Sequence, residues 1–448
     1  MHGRGASRLC RGTDFAELLP TLHCATTLQT LSPMRIALVN QPWSRFRPPV
    51  DRADSIAIWS YQTARRFVAS GQGSVTFLSR NDAGQPSFEV RDGLTFRRLP
   101  YWPKRRGYTW LRRGLDALGW QDVPFDHDAF HRGFAAWAGT WARRDGAEVV
   151  HVHNFSQFVP IVRRVLPEAR IVLHMHCSWL AQLPAALIEP RIAQADGIWG
   201  CSAHLMDPVV ARFPPLGTRC RVVPNGVDVA EFAPSTRRPA GQRILFVGRL
   251  SPEKGVHTLV EAFTRVAHVL PGATLKLVGP HAPTPLDFLA KLDEAPEVRA
   301  LGRFYEPGND DYLGALTRLV PSALKTRVTF AGEVPPARLP RIYAASDVLV
   351  NPSLSESFGM SLVEAMAAEV PVVATKVGGM PEIVSDGGTG RLVPADDPRA
   401  LADALIETLR EPARVRPWVR AAAAHVRHTY DWSHVTRQVT RAYRELVR

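Results

Sequence analysis

With 448 residues, 45% of them apolar, the chain is too long for one ordinary domain and has material for two cores of about 200 residues each. The net charge of +13 suggests a nucleic-acid surface, but only six of the 55 basic residues are Lys, an Arg bias that fits the codon usage of a GC-rich genome better. Five cysteines (10, 24, 177, 201, 220) with no C-x-x-C pair argue against a disulfide framework, and no apolar run approaches the roughly 18 residues of a membrane span.

Residues 1–33 are polar and lack the apolar stretch of a signal peptide, so they read as a disordered extension ahead of Met34. The run 35–40 ends in turn formers and predicts a buried parallel strand, followed by a helix over 56–69 and a strand over 75–78. Further strands are expected at 148–152, 170–175, 197–201 and 221–223, with helices at 130–144 and 188–195 between them. The pattern restarts after the turn Pro224-Asn225-Gly226-Val227-Asp228 and a Pro/Arg-rich stretch, 234–241, which marks the domain boundary. Strands at 243–247, 274–278, 327–330, 348–350 and 371–374 then alternate with helices at 257–269, 339–345, 361–368 and 398–410. Residues 280–325 read as an insertion of unclear strand content, and 418–447 as a last helix. This alternation predicts an α/β fold of two doubly wound parallel sheets, residues 34–235 and 236–415, sharing a cleft beyond the carboxyl ends of their strands.

The chemistry concentrates in the second half. A strand enters the segment Glu356-Ser357-Phe358-Gly359-Met360-Ser361-Leu362-Val363-Glu364, where a helix begins. Free N–H groups at a helix start seat phosphate or sugar hydroxyls, and Gly359 lets a ligand approach the backbone. Glu356 and Glu364 can each accept two hydroxyl hydrogen bonds from a polyol, although either also reads as a helix-start carboxylate. Upstream, Gly248-Arg249-Leu250-Ser251-Pro252-Glu253-Lys254-Gly255 ends another strand and offers Arg249 and Lys254, two cations suited to a diphosphate.

Together these segments resemble the family-4 (group 1) retaining glycosyltransferases of the GT-B fold, over residues 34–447. The matching stretches are GRLSPEKG at 248–255, FAGEVP at 330–335, the 356–364 segment, VGGMPEIVSDGGTGRLV at 377–393, and PNGVD at 224–228. DWSHVTRQVTRAYREL at 431–446 is similar to the family's last helix, which implies that residues 416–448 cross back onto the first domain. The resemblance implies roles residue by residue. Arg249 and Lys254 hold the donor diphosphate, and Glu364 binds ribose. Glu356 with the backbone of Phe358, Gly359 and Met360, and neighbouring Ser361, holds the transferred sugar. Val334 lies where the base is read, and His176, with His174 second, contacts the donor sugar. It implies a nucleotide-sugar donor, UDP-hexose foremost, and a saccharide, lipid-linked or small-molecule acceptor, with no metal and no other cofactor. Asn40-Gln41-Pro42-Trp43 departs from the family's Gly-rich first loop and leaves Asp54 and Ser55 as candidates for the phosphate or acceptor.

Other signals compete. Asp126-His127-Asp128 has the spacing of an Asp-x-Asp metal site but reads better as the cap of a helix from 129. His151-x-His153 and His174-x-His176 place rings on one strand face, as zinc ligands stand, yet strand-end histidines commonly line clefts without metal. Residues 91–118 interleave basic and aromatic side chains, which suits peripheral contact with the inner membrane face or a plain solvated surface of a cytoplasmic protein. A nucleotide-sugar epimerase or hydrolase of the same fold, a glycoside hydrolase with Glu356 and Glu364 as its carboxyl pair, and a non-catalytic two-domain sugar-binding protein are the alternative functions.

Overall fold

The computed structural model describes residues 32–43, 55–81, 84–99, 125–233, 241–306 and 311–448. Both sheets belong to one unit, residues 33–448. The expected extension, Asp54 and the boundary stretch 234–240 lie outside the described residues.

The first sheet holds β1 (Met34–Val39), β2 (Gly73–Arg80), β3 (Phe88–Arg91), β4 (Leu94–Leu99), β5 (Val149–His153), β6 (Arg170–Met175), β7 (Gly197–Gly200) and β8 (Cys220–Val222). The second holds β9 (Arg243–Val247), β10 (Thr274–Val278), β11 (Val328–Gly332), β12 (Val348–Asn351), β13 (Val372–Thr375) and β14 (Arg391–Val393). Their orders are β3-β4-β2-β1-β5-β6-β7-β8 and β11-β10-β9-β12-β13-β14, and every neighbouring pair is parallel except β3–β4. Strands β5, β7, β12 and β13 are buried at every position, the burial that helices on both faces of a parallel sheet produce. Chain order reverses between β1 and β5 in one sheet and between β9 and β12 in the other. A crevice opens at the carboxyl ends of strands at such a switch.

The helices that position the site are α1 (Ser55–Ala69), α2 (Arg132–Arg144), α3 (Ala203–Arg212), α4 (Val256–Val269), α5 (Met360–Ala367), α6 (Pro412–Thr429) and α7 (Trp432–Val447). Instead of one last helix there are two. Helix α6 packs on α5 of the second domain and α7 on α1 of the first. The chain crosses at Tyr430–Trp432, where Val227 N–H donates to the Tyr430 carbonyl at 2.8 Å and Trp432 N–H to the Val227 carbonyl at 3.1 Å. Asp431 then caps α7 by accepting from Ser433 N–H.

The β3–β4 hairpin is absent from the expected elements, because Phe88 and Val90 are exposed and its second strand carries two arginines. Its Asp92-Gly93 turn, with φ of 54° and 74°, is the signal that marks it. The hairpin removes part of the basic stretch from any membrane face: Arg97 pairs with Asp145 at 2.7 Å, and buried Arg98 with Glu89 at 2.8 Å. Residues 100–124 lie outside the described residues. The expected helix from 129 starts only at Arg132, and Asp128 pairs with Arg191 at 2.6 Å in place of capping it. Among the described residues no helix is long and apolar enough to cross a membrane.

Helix α7 is tied to the first sheet by a buried hydrogen bond, Tyr443 Oη to His151 Nδ1 at 2.7 Å. Tyr443→Phe leaves that nitrogen unpaired in the core. It should cost about 1–3 kcal/mol, the scale for an unsatisfied buried polar atom, and lower the thermal unfolding midpoint. An unchanged midpoint would show that the bond does not hold α7 in place.

Candidate active site

The loop after β9 and the loop after β12 flank the crevice of the second sheet and lock together through backbone. Gly255 takes φ 64°, and a Cβ there would overlap the Pro352 carbonyl, so only glycine serves. The Glu253 carbonyl accepts Leu354 N–H at 2.8 Å. This brings Lys254 Nζ to 2.9 Å from Glu356 Oε2, with the two side chains 17% and 16% exposed. A third loop braces the pair from β13: Gly378, at φ 57°, leaves no room for a Cβ against the Glu356 carbonyl, and Gly379 N–H donates to that carbonyl at 3.0 Å.

Burial alone would raise the Glu356 pKa. The Lys254 ammonium, the Asn351 amide and the Phe358 N–H outweigh it, and the carboxyl sits below its ordinary value. Glu364, in the first turns of α5, has the opposite balance. Burial pushes it up, the Tyr343 hydroxyl bonded to it at 2.6 Å draws it down, the charge of Glu231 adds to the rise, and the net value is about 7. One acid of the pair is therefore held charged, while the other titrates near neutrality.

Arg249 sits at the rim, its side chain 44% exposed, with Nη2 at 3.0 Å from Glu253. Its Nη1 reaches the Ala282 carbonyl at 3.1 Å and Thr284 Oγ1 at 2.9 Å. Buried Glu253 also accepts from the Ser251 and Thr284 hydroxyls. It orients Arg249 and organises the segment 280–284.

The remaining expected residues divide. Gly359 is the N-cap of α5, and Met360 its first residue. The Phe358 side chain is buried against Tyr430, leaving only its backbone to the site, and the Ser361 hydroxyl turns inward to Asn351 at 3.4 Å. Val334 follows β11, half-buried, and Ser55 opens α1, away from the Lys254–Glu356 pair in sequence and sheet. His176, just past β6, donates its backbone N–H to Asn154 Oδ1 at 2.6 Å, and burial lowers its ring to about 3. His174, the second choice, is fully buried, with Trp59 edge-on at 4.8 Å.

The two domains meet across the crevice. Ser202 Oγ donates to the Ser357 carbonyl at 2.7 Å, and Glu382 accepts Ala203 and His204 N–H at 2.9 and 2.7 Å, capping α3 from the opposite domain. Phe288, from the stretch read as an insertion, packs among Trp43, Phe125 and Trp179, and its carbonyl accepts from Trp179 Nε1 at 3.0 Å.

Residues 56–231 match the family Glycosyltransferase Family 4, and 241–411 match Glycosyl transferases group 1. The glycogen synthase of Mycobacterium tuberculosis is 31% identical over 314 residues, 66% of this chain and 68% of that protein. The chain belongs to the family-4 glycosyltransferases. It is a glycosyltransferase of the GT-B fold, with the first domain's match ending, and the second's beginning, on either side of the undescribed stretch 234–240. D-inositol 3-phosphate glycosyltransferase of Segniliparus rotundus is 32% identical over 236 residues, but there the chain spans about half of its relative, 47%. Among solved structures, Anabaena HepE in complex with UDP and glucose superposes with a TM-score of 0.64 at 19% identity, covering 91% of this chain and 98% of that one.

The raised Glu364 pKa has a testable sign. A carboxyl whose folded pKa exceeds its unfolded one contributes stability that is present below about 4.5 and lost as pH rises through about 7. Glu364→Gln cannot lose it. The wild type should therefore fall in thermal midpoint relative to Glu364→Gln between pH 5 and pH 8. Parallel curves for the two proteins would count against a buried, near-neutral Glu364.

Proposed function

We propose that this glycosyltransferase moves a hexose from a nucleotide diphosphate sugar, UDP-hexose foremost, to a saccharide, lipid-linked or small-molecule acceptor, with retention of configuration and without a metal. The observation that carries the reading is the buried Lys254–Glu356 pair at the switch point of the second sheet, with Glu364 eight residues further on. It supplies a cation for the diphosphate, a carboxylate for the sugar, and a second carboxylate for the ribose.

On donor binding, Lys254 exchanges Glu356 for the diphosphate, and Arg249 closes over it from the rim. Glu356, released, accepts hydroxyl hydrogen bonds from the transferred sugar beside the N–H groups of Phe358, Gly359 and Met360, while Val334 lies against the base. As the anomeric bond breaks, negative charge grows on the leaving phosphate beside Lys254 and Arg249, whose fixed charges stabilise it without reorganisation. The acceptor hydroxyl attacks the face that the leaving group vacates, and a phosphate oxygen takes its proton. Arg249 and Lys254 take in this reading the charge-stabilising part that a metal plays elsewhere. His176, neutral at any working pH, adds a hydrogen bond and no charge. UDP is favoured as nucleotide because HepE, of the same fold, was captured with UDP and glucose. Polyol acceptors are favoured because the related proteins are named for glycogen and D-inositol 3-phosphate. Asp54 and Ser55 are assigned to the acceptor side.

Lys254→Ala and Glu364→Ala should each lower transfer at least ~100-fold, the scale for losing one strong transition-state contact, and turnover should survive excess EDTA. Transfer is measured with UDP-, GDP- and ADP-hexoses over a panel of polyol acceptors. Near-normal turnover in both variants would sink the assignment, and EDTA-sensitive turnover would remove its metal-free form. Donor consumption at equal rate without acceptor would instead favour a nucleotide-sugar hydrolase.

A further inference from the structure

The first domain hides an unusual polar cluster in its core. His151 and His153 on β5 lie beside His174 on β6 and His176 past its end, under the fully buried ring of Trp59. Ring nitrogens of His151, His153 and His174 come within 4.8 Å of one another, a spacing open to a metal ion. The hydrogen bonds point elsewhere. His151 Nδ1 is taken by Tyr443, and His153 has both nitrogens engaged, Nε2 with Ser60 Oγ at 3.0 Å and Nδ1 with His176 Nε2 at 3.1 Å. A metal on these three rings would have to break a chain that runs from β1 to the cleft.

Hydrogen counting gives that chain a direction. Ser60 donates its single hydroxyl hydrogen to Asn40 Oδ1, at 3.2 Å, so toward His153 it can only accept. His153 Nε2 therefore carries the hydrogen. A neutral imidazole has one, and burial among other rings keeps His153 neutral, so its Nδ1 is a bare lone pair. The contact to His176 is then a hydrogen bond only if His176 Nε2 is the donor. What remains is His176 Nδ1, a bare acceptor that is buried and has no partner among the described residues, on a residue whose backbone Asn154 fixes.

We propose that Asn40, Ser60 and His153 are positioning residues that lock His176 in the Nε2–H tautomer, so that its Nδ1 accepts a hydrogen bond from a hydroxyl of the transferred sugar. The proposal rests on the reading that His176 contacts the donor sugar, and it adds the polarity of that contact: the site selects a sugar carrying a hydroxyl donor there and disfavours one that presents only an acceptor, such as a deoxyfluoro sugar. The relay also accounts for Asn40, Ser60 and His153 as buried polar side chains, which an apolar core would otherwise have no use for.

The test has two separable arms. With 15N-labelled histidine, two-bond 15N–1H correlations report which nitrogen of each ring is protonated, and the His176 signal is assigned by its loss in His176→Gln. The wild type should show His176 as Nε2–H, and Ser60→Ala, or Asn40→Ala should Ser60→Ala not fold, should give a tautomer mixture. A Nδ1–H tautomer in the wild type, as an inverted Asn40 amide would produce, or one unmoved by the variants, overturns the relay. In the second arm, Ser60→Ala should weaken UDP-glucose binding about fivefold, in the range for one lost hydrogen bond, and leave UDP binding unchanged, since the relay faces the sugar. Equal weakening of both ligands would make the effect structural and overturn the proposal. If His176→Ala binds UDP-glucose and UDP as the wild type does, the sugar-contact reading fails, whatever tautomer the first arm finds.

Discussion

Neither Lys254 nor Glu356 could be buried alone. Taking a single ammonium or carboxylate out of water costs several kcal/mol even after the protein relaxes. Drawn from loops that follow neighbouring strands, each offsets the other at 2.9 Å. Those strands, β9 and β12, are the ones between which chain order reverses, so topology decides where the crevice lies and the ion pair decides what fills it when no ligand is present. Gly255 and Gly378 meet the same requirement, since the loops must approach more closely than any Cβ allows. In the proposed reaction the diphosphate takes over Glu356's part of the pair. Lys254 then faces an anion before and after binding, first Glu356 and then the diphosphate, so the ammonium is never left buried and unpaired.

The two domains divide the chemistry by charge. The second offers Arg249, Lys254, Glu356 and Glu364, while the first brings histidines that burial keeps neutral. This runs against the count along the chain, where residues 1–235 hold 28 basic and 19 acidic side chains. Among the described residues, several of those arginines hold the fold. Arg66 binds Asp228 at the hinge, Arg97 and Arg98 fasten the β3–β4 hairpin, and Arg163 joins Asp196 at 2.5 Å. Net charge is a property of the whole surface and says little about one cleft.

How much of the fold is legible in the sequence depends on which interactions are local. Apolar runs bounded by turn formers place β1, β6 and β9 to within a residue, because a buried parallel strand writes its burial on both faces, and β10 is placed as well by its alternation of exposed and buried positions. The 248–255 and 356–364 segments are legible because each is one continuous run in which a strand gives way to glycines and charged residues ahead of a helix. The hairpin is hidden by exposed Phe88 and Val90, which blur the alternation of an edge. The break between α6 and α7 carries only one local mark, the N-cap Asp431; the rest of it comes from Val227, two hundred residues away, which pairs with the backbone there. Glu253, Tyr343 and Glu382 escape sequence reasoning on related grounds. Each acts on a partner that only the fold brings near, and alone each is an ordinary polar residue.

The same long-range logic bears on how the cleft opens. The crossing at 227 and 430–432 and the packing of α7 join the domains on one side. Across the cleft the described contacts are of another kind: Ser202 on the Ser357 carbonyl, Glu382 on the start of α3, and Phe288 among aromatic rings. Aromatic pairs contribute roughly 0.5–1.5 kcal/mol each, and a carboxylate at a helix start about 1. Such contacts add modestly to the hold that the crossing gives the two domains. Two of them use segments that also carry the site. Ser357 follows Glu356, and Phe288 lies beyond the 282–284 stretch that holds Arg249. Opening the domains therefore loosens the groups proposed to hold the sugar and the diphosphate, and closing them restores both at once.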